Sequence, residues 1–360
     1  MLSFITFTEI LSNVAYVLLA FLILMFMVTI HELGHYTAGK LLKFKINEFA
    51  IGMGPKIFKR KMKSGEDFSV RVLPLGGFCA FEGEDEDGED PAAFNRQKPW
   101  KRLIVLFSGA FFNFLSAILI AVIAFSCFGD QLPSVHEIYN TSPNYSAEAS
   151  ANTFRQGDVI LAINGKTIYL ANDIGKYIAS APEEMSVLVL RDGEKVLLEG
   201  IRKGNYTITK DDKTQTYFGW GISMTYGDRI RYSFGEALTR SAPYCFRVGG
   251  YVLETLGGLV TGLIGLDQIG GPITTLDITM QIMRTGFANV LFLITLISVN
   301  LAVFNLLPLP ALDGSRMLFV VIEWIRKKPI NRNVEGWIHA VGLILLLIFV
   351  IAVDLLHLFG

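Results

Sequence analysis

Two histidines and a glutamate at helical spacing carry the clearest chemical signal in the chain. The motif His31-Glu32-Leu33-Gly34-His35 ends an apolar run that extends from Val14 to Ile30. On an α-helix the two histidines are one turn apart on one face, so both imidazoles can bind one Zn²⁺. Glu32 then lies beside the metal, where it can take a proton from a metal-bound water. Because ionisable side chains are costly at membrane depth, this placement predicts a zinc peptidase site within a membrane.

A catalytic zinc site needs three protein ligands, and Asp313 is the predicted third ligand. It follows two prolines in the segment Asn305–Gly314, which would end the apolar helix before it. Irregular backbone at membrane depth is tolerated where it is buried in protein or lines a wet cavity, so a carboxylate just beyond such a break is suited to bind metal. An aspartate that only caps the next helix is the alternative. Asp354 and His339 are the next candidates if Asp313 is not a ligand.

Composition predicts a membrane protein with several spans. Hydrophobic residues make up 51% of the chain, the mean hydropathy is +0.44 and there are 27 phenylalanines, which does not fit one soluble domain of 360 residues. The net charge of −1 argues against a nucleic-acid partner. The three cysteines are scattered, so they cannot form a disulfide framework or a C-x-x-C metal site. Four segments are apolar enough to span a bilayer: 14–38, 103–128, 287–309 and 336–357.

Positive charge predicts the orientation of these spans. Lysines and arginines cluster at 40–45, 98–102 and 326–332, and such clusters are typical of cytoplasmic ends. Both termini and the insert 129–286 are therefore expected outside the cytoplasm, with the metal site near the cytoplasmic side. The segment 246–266 is interrupted by charges and paired glycines, so an amphipathic or re-entrant helix at the outer surface is predicted there instead of a fifth span.

Two other regions have strand-like patterns. The segment 46–82 contains three such stretches, at 46–52, 56–61 and 68–81, and predicts a hairpin or small sheet against the cytoplasmic helix ends. An ordinary cytoplasmic hairpin is the alternative to a membrane-associated one. In the insert, Asn164-Gly165 follows a short apolar run and predicts a strand–turn–strand unit that resembles the core of a PDZ domain.

In combination, these motifs resemble the bacterial site-2 proteases, most closely the regulator-of-sigma-E type of intramembrane metalloprotease. The resemblance runs from about Val14 to the C-terminus and also covers Gly52–Pro55 and Gly109-x-x-x-Asn113. Ser315 and Ala110 stand where many relatives have glycine and proline, and neither departure removes a ligand or the base. The resemblance implies that Zn²⁺ is held by the two histidines and Asp313, with Glu32 as general base and then acid.

The resemblance also implies roles for residues around the metal. It implies that the 46–82 sheet, with Gly52 and Gly54, dips into the membrane and pairs with the substrate. It implies that Asn305 contacts the substrate, with Pro308 in the same motif. Asn113 and Gly314 are expected to support the site structurally. For Asn113, a hydrogen bond between helices is the favoured interpretation.

The predicted fold is a multi-span α-helical membrane protein with a membrane-associated β-hairpin or sheet and an extracytoplasmic α+β PDZ-like domain. Residues 1–128 hold the first two spans, the zinc motif and the β region 46–82. The PDZ-like domain is predicted at 129–205, a linker with an amphipathic helix at 206–286, and the last two spans with the third ligand at 287–360.

The predicted function is zinc-dependent endoproteolysis within the membrane. The substrates implied by resemblance are single-span proteins already shortened outside, such as anti-sigma factors, or remnant signal peptides. The expected setting is the inner or plasma membrane of a bacterium, with the lipid bilayer and a possible peptide ligand of the PDZ-like domain as partners. Two alternatives are a catalytically idle PDZ scaffold, and a membrane HExxH peptidase that cuts soluble or misfolded proteins.

Overall fold

The computed structural model describes residues 7–84, 88–145, 152–210, 213–265 and 270–359. The chain forms two compact units. The helical unit comprises Met1–Ala121 and Val248–Gly360, and the sheet unit comprises Val122–Arg247. Helices and strands are numbered in chain order as follows: α1 (Phe7–Leu41), β1 (Ile46–Lys61), β2 (Asp67–Phe81), α2 (Pro99–Cys127), β3 (Pro133–Ile138), β4 (Val159–Ile163), β5 (Lys166–Thr167), α3 (Ala171–Ser180), β6 (Glu184–Arg191), β7 (Glu194–Arg202), β8 (Gly204–Lys210), β9 (Lys213–Gly219), β10 (Ile222–Tyr226), α4 (Phe234–Val260), α5 (Pro272–Arg284), α6 (Phe287–Leu306), α7 (Asp313–Arg326) and α8 (Arg332–Phe359).

Within the described ranges, four helices are long and apolar enough to cross a membrane. They are Leu11–Leu41 in α1, α2, α6, and Arg332–Leu356 in α8. Each contains or overlaps one predicted span, so the prediction of four long apolar helices is confirmed. Between residues 341 and 353 the last helix carries only apolar side chains and one glycine, and side chains such as Leu345 and Ile348 are exposed. Apolar side chains on every face of an exposed helix suit a hydrocarbon environment.

Most of the segment 246–266 lies in α4, which is not among the four candidate spans. Arg247 and Glu254 interrupt its apolar sequence, and Pro243 lies inside the helix. The described part of this segment therefore lacks the apolar length of the four candidate spans, and its not crossing the membrane stays a prediction. Its location at the outer membrane surface stays a prediction.

The region 46–82 forms one antiparallel hairpin, β1 with β2. The two stretches predicted at 46–52 and 56–61 both lie in β1 but pair with different parts of β2: the first lies opposite 77–81 and 67–70, and the second lies opposite 67–71. Gly52 and Gly54, with φ of +85° and +83°, mark the change of direction between them. These left-handed conformations suit glycine, which has no Cβ to clash with the backbone. A Cβ at Gly52 would also lie 2.7 Å from the carbonyl oxygen of Leu73.

A buried face packs the hairpin against the helices, and a charged cluster within the hairpin joins its two strands. Phe49 and Phe81 belong to a core cluster with residues of α1 and α2. Burial raises the pKa of the Glu48 carboxyl, but hydrogen bonds from Ser69, Lys56 and Arg71 outweigh it and lower the pKa to about 2. The outer half of the hairpin is different, because its large apolar side chains are exposed: Met53, Ile57, Phe58, Val72 and Leu73.

A proline-rich loop separates α6 from α7. Leu307 is extended, with φ −73° and ψ 145°, because a residue before proline disfavours the helical conformation. The amide of Leu312 donates to the carbonyl of Leu309 at 3.2 Å, which closes a four-residue turn. Ala311 in this turn has φ +66°. The next helix begins at Asp313, so the loop ends at the predicted ligand.

The sheet unit contains an antiparallel sheet in the order β10-β3-β4-β6-β7, with β5 paired to β4. Its core includes Ile160, Val187 and Leu198. Asn164 and Gly165 have φ of +45° and +74°, as the predicted tight turn between β4 and β5 requires. The sheet takes in β10, so it extends past residue 205, where the predicted PDZ-like segment ends. A separate hairpin pairs β8 with β9.

Candidate metal centre

The helix α1 brings the two motif histidines together. His31 and His35 are each 7% exposed, and their Nε2 atoms lie 3.1 Å apart. Their rings meet edge to face with centroids 4.6 Å apart. Residues at i and i+4 share one helical face, so this convergence follows directly from the motif spacing.

Asp313 completes the cluster from the first turn of α7. Its Oδ2 lies 2.8 Å from Nε2 of His31 and 3.2 Å from Nε2 of His35. That oxygen is buried and makes no hydrogen bond. Within the described residues, these three side chains are the group able to hold a metal ion.

The donor set fits zinc. Tetrahedral bonds of about 2.0–2.1 Å place neighbouring ligand atoms roughly 3.3 Å apart. The three atoms here are 2.8 to 3.2 Å from one another, close to that spacing. Two imidazole nitrogens and one carboxylate oxygen also leave the fourth position open, as catalytic zinc sites do.

A hydrogen bond fixes the tautomer of His35 that metal binding requires. Nδ1 of His35 lies 2.7 Å from the carbonyl oxygen of Val105. Because a carbonyl only accepts, Nδ1 carries the proton and Nε2 presents its lone pair to the metal. This contact joins α1 to α2 and was not predicted from the sequence.

Asn113 of α2 lies beside Nδ1 of His31, as the carbonyl of Val105 lies beside Nδ1 of His35. Its side-chain amide is 3.5 Å from Nδ1 of His31, and its Oδ1 is buried without a hydrogen bond. With this amide turned by about 180°, Oδ1 would face Nδ1 of His31 and could accept its proton, which would leave Nε2 of His31 free for the metal. The backbone carbonyl of Asn113 also accepts from Ser298 at 2.7 Å, which links α2 to α6. Asn113 thus lies next to a predicted ligand, beyond the general helix–helix role expected for it.

Glu32 lies beside the ligands without joining them. With His31 and Asp313 it lines a cavity of about 280 Å³. Its Oε2 accepts a hydrogen bond at 3.0 Å from the backbone amide of Cys79 in β2. The hairpin therefore orients the predicted base, and the motif alone gave no signal of this long-range contact.

Gly109 of α2 is packed directly against the two imidazoles. A Cβ there would lie 2.5 Å from Nε2 of His35 and 2.6 Å from Cε1 of His31. Gly34 allows the same close approach from α1, since its Cβ would lie 2.3 Å from the carbonyl oxygen of Ser108. Sequence reasoning did not name Gly109 as a site residue, although it noted the Gly109-x-x-x-Asn113 pattern.

Substitution of Gly109 by alanine is expected to displace the imidazoles and lower zinc occupancy and cleavage at least about tenfold, since supporting contacts typically contribute 10–100-fold to metal affinity. Metal analysis of the purified variant is the measurement. Gly257→Ala is the matched control, because a Cβ at Gly257 meets nothing within 4 Å. Equal zinc content in the two variants would contradict the proposed steric role of Gly109.

The remaining predicted site residues are placed as follows. Asn305 lines the cavity with the ligands, whereas Pro308 is an exposed residue of the loop that follows α6. Gly52 and Gly54 shape the hairpin bend. Gly314 lets the loop backbone pass closely, since its Cβ would lie 2.2 Å from the carbonyl oxygen of Leu307. The substrate-binding roles of the first four residues stay predictions.

Comparison with known proteins agrees with this geometry. Residues 19–349 match the family described as Peptidase family M50. A Fusobacterium nucleatum protein named as a candidate zinc metalloprotease is 31% identical over 342 residues, covering 94% of this chain and 96% of its own length. A similarly named Clostridium perfringens protein is 32% identical over 343 residues, covering 92% and 95%. The zinc metalloprotease RasP of Bacillus licheniformis is 28% identical over 413 aligned positions, covering 91% and 94%. The predicted resemblance to site-2 proteases is confirmed.

Proposed function

The chain belongs to peptidase family M50, and we propose that it is a zinc-dependent endopeptidase that cleaves single-span membrane proteins within the bilayer. The observation that carries the proposal is the convergence of His31, His35 and Asp313 beside Glu32. Three of these residues lie within a long apolar helix, and the fourth follows the end of another. Ionisable groups are rarely kept in such a setting without a function.

The arrangement suits hydrolysis of a peptide bond. When bound, Zn²⁺ supplies the Lewis acidity that polarises the scissile carbonyl and activates a water for attack. Glu32 takes the proton from that water and then delivers it to the leaving amide nitrogen. The hydrogen bond from Cys79 keeps the Glu32 carboxylate turned toward the cavity. Asn305 lines the same cavity, and its proposed role is to bind the substrate backbone.

The hairpin gives a physical route for presenting a helical substrate. A transmembrane helix has no accessible peptide bond until part of it is unwound, and pairing with a strand edge holds a peptide extended. Residues 48–51 and 67–70 have partners on both sides, so the unpaired edges of the sheet lie along 56–61 and 77–81. Cys79 in the second of these stretches already contacts Glu32. The exposed apolar outer half of this hairpin fits immersion in lipid.

Cleavage of defined substrates by the purified protein with zinc tests the proposal. A single-span peptide lacking an outer domain is expected to be cut within its apolar segment, as located by mass spectrometry. A soluble unfolded protein such as casein is expected to remain intact. Cutting of casein alone would favour the soluble-substrate peptidase, and loss of all cleavage in zinc-loaded protein would favour the idle scaffold.

The proposed orientation places the metal site near the cytoplasmic side, with both termini and the PDZ-like insert outside. It is supported by the positive clusters and by the proximity of His35, near the end of the first span, to Asp313, just beyond the third. Two spans, the second and the third, lie between His35 and Asp313 in the chain. Because two crossings return the chain to the side from which it started, both ligands lie at the same depth. The insert then meets substrates first, where it binds a peptide end or excludes bulky domains.

Thiol labelling of intact cells measures this orientation. Single cysteines at Lys61 and Lys328, in a variant without the three native cysteines, are expected to resist an impermeant reagent. A cysteine at Lys166, in the turn-containing part of the sheet unit, is expected to react at once. Labelling at Lys328 but not at Lys61 would contradict the proposed number of spans between them.

A further inference from the structure

The loop that carries Asp313 contains a strained turn. Residues 309–312 form a turn with Pro310 and Ala311 at its centre, closed by the amide of Leu312. Proline at the first central position and positive φ at the second are the pattern of a type II turn. The second position normally holds glycine, because in a left-handed conformation the Cβ of any other residue crowds its own backbone. Ala311 occupies it with φ +66°, so contacts elsewhere must hold the turn.

One such contact comes from His339 on α8. Its Nδ1 accepts a hydrogen bond at 2.9 Å from the backbone amide of Ala311. This bond defines the tautomer, since Nδ1 must be unprotonated to accept. The ring is fixed by an edge-to-face contact with Phe319, with centroids 5.5 Å apart, and Nε2 lies 3.9 Å from Oε1 of Glu335.

A second contact lies one turn further along the same helix. A Cβ at Gly342 would be 2.2 Å from both Cβ and Cγ of Pro310. The absence of a side chain at Gly342 therefore lets α8 pack directly on the proline of the turn. Residues at i and i+3 share a helical face, so His339 and Gly342 act on adjacent residues of one turn.

We infer that this face of α8 is a positioning element for the metal ligand Asp313: His339 and Gly342 hold the turn 309–312 in the conformation that aims the carboxylate at His31 and His35. The inference rests on the zinc peptidase function proposed above. His339, an alternative ligand by sequence, then acts through the loop without binding the metal, and α8 does more than anchor the chain in lipid.

Zinc affinity, measured by competition with a chelator, tests the inference. His339→Ala is expected to weaken zinc binding about 10–100-fold, the usual effect of losing a contact that orients a ligand. His339→Asn is expected to restore affinity to within about threefold, because Oδ1 of asparagine is bonded to Cγ as Nδ1 is and can accept the same hydrogen bond. Gly342→Ala is expected to weaken binding like His339→Ala, and Gly336→Ala on the same helix, whose Cβ meets nothing within 4 Å, is expected to have no effect.

The visible spectrum of the cobalt-substituted protein separates positioning from general destabilisation. It is expected to shift in His339→Ala and Gly342→Ala, and to match the unaltered protein in His339→Asn and Gly336→Ala. Unchanged affinity and spectrum in both His339→Ala and Gly342→Ala, with zinc bound to the unaltered protein, would overturn the inference alone. Failure of the unaltered protein to bind zinc would overturn the proposed function and, with it, this inference.

Discussion

Replacement of Glu32 by glutamine is expected to lower the rate of peptide cleavage by about 10²–10⁴-fold, the range that a positioned general base contributes. Zinc content is expected to stay that of the unaltered protein, because Glu32 is not among the three side chains that are able to hold a metal ion. Glutamine has the same length and keeps an oxygen that can accept the amide of Cys79, so the hairpin contact survives. What is lost is the ability to accept a proton from the attacking water.

The variant is assayed as purified protein on a single-span peptide, with metal analysis of the same sample. Glu199→Gln is the control, since that side chain is exposed on β7 of the sheet unit. Retention of a tenth of the unaltered rate would exclude Glu32 as the base. Loss of zinc together with activity would instead indicate a direct role in metal binding.

The parts of the fold and site that were predictable are those set by local spacing. The histidine pair follows from i, i+4 geometry, and the loop before Asp313 follows from two prolines that end a helix. Long apolar stretches identified the four candidate spans within the described residues. The turn at Asn164-Gly165 was likewise predictable, because few sequences tolerate two consecutive left-handed residues.

The parts that were missed depend on contacts between residues far apart in the chain. The amide of Cys79 reaches Glu32 from β2, and Gly109 meets the imidazoles from α2. A backbone amide and a glycine carry no chemical signature, so nothing in their own sequence indicates the contact. His339 was noticed only as a possible ligand, because the sequence does not show that its neighbour is the amide of Ala311.

The hairpin shows a third reason why the sequence alone does not predict the structure. Glycines at 52 and 54 separated two strand-like stretches in the sequence, and glycine commonly marks the end of a strand. Here both glycines lie inside β1 with positive φ, and the residues on either side of them pair with different parts of β2: 48–51 with 67–70 and 77–81, and 56–61 with 67–71. A bend and a break leave the same local pattern, and only the partner strand distinguishes them.

Removal of any one metal ligand is expected to abolish activity through loss of zinc. His31→Ala, His35→Ala and Asp313→Ala each leave two protein ligands where a catalytic site needs three. Zinc occupancy in the purified variants is expected to fall to about a tenth or less of that in the unaltered protein. In the unaltered protein, a chelator is expected to abolish cleavage and added Zn²⁺ to restore it, whereas no variant should recover at the same zinc concentration.

Asp354→Ala provides the matched control for the carboxylate ligand. Asp354 is 7% exposed on α8, so this variant also loses a buried aspartate from an apolar helix, but it leaves the three ligands intact. It is expected to keep its zinc. Full zinc occupancy in Asp313→Ala would show that another residue is the third ligand. Loss of zinc in Asp354→Ala would then identify Asp354 as that residue. Of the three ligands, Asp313 alone lies outside α1. Loss of zinc in Asp313→Ala would therefore show that the site is assembled from two helices, whereas retained zinc would show that the histidine pair of α1 binds it without Asp313.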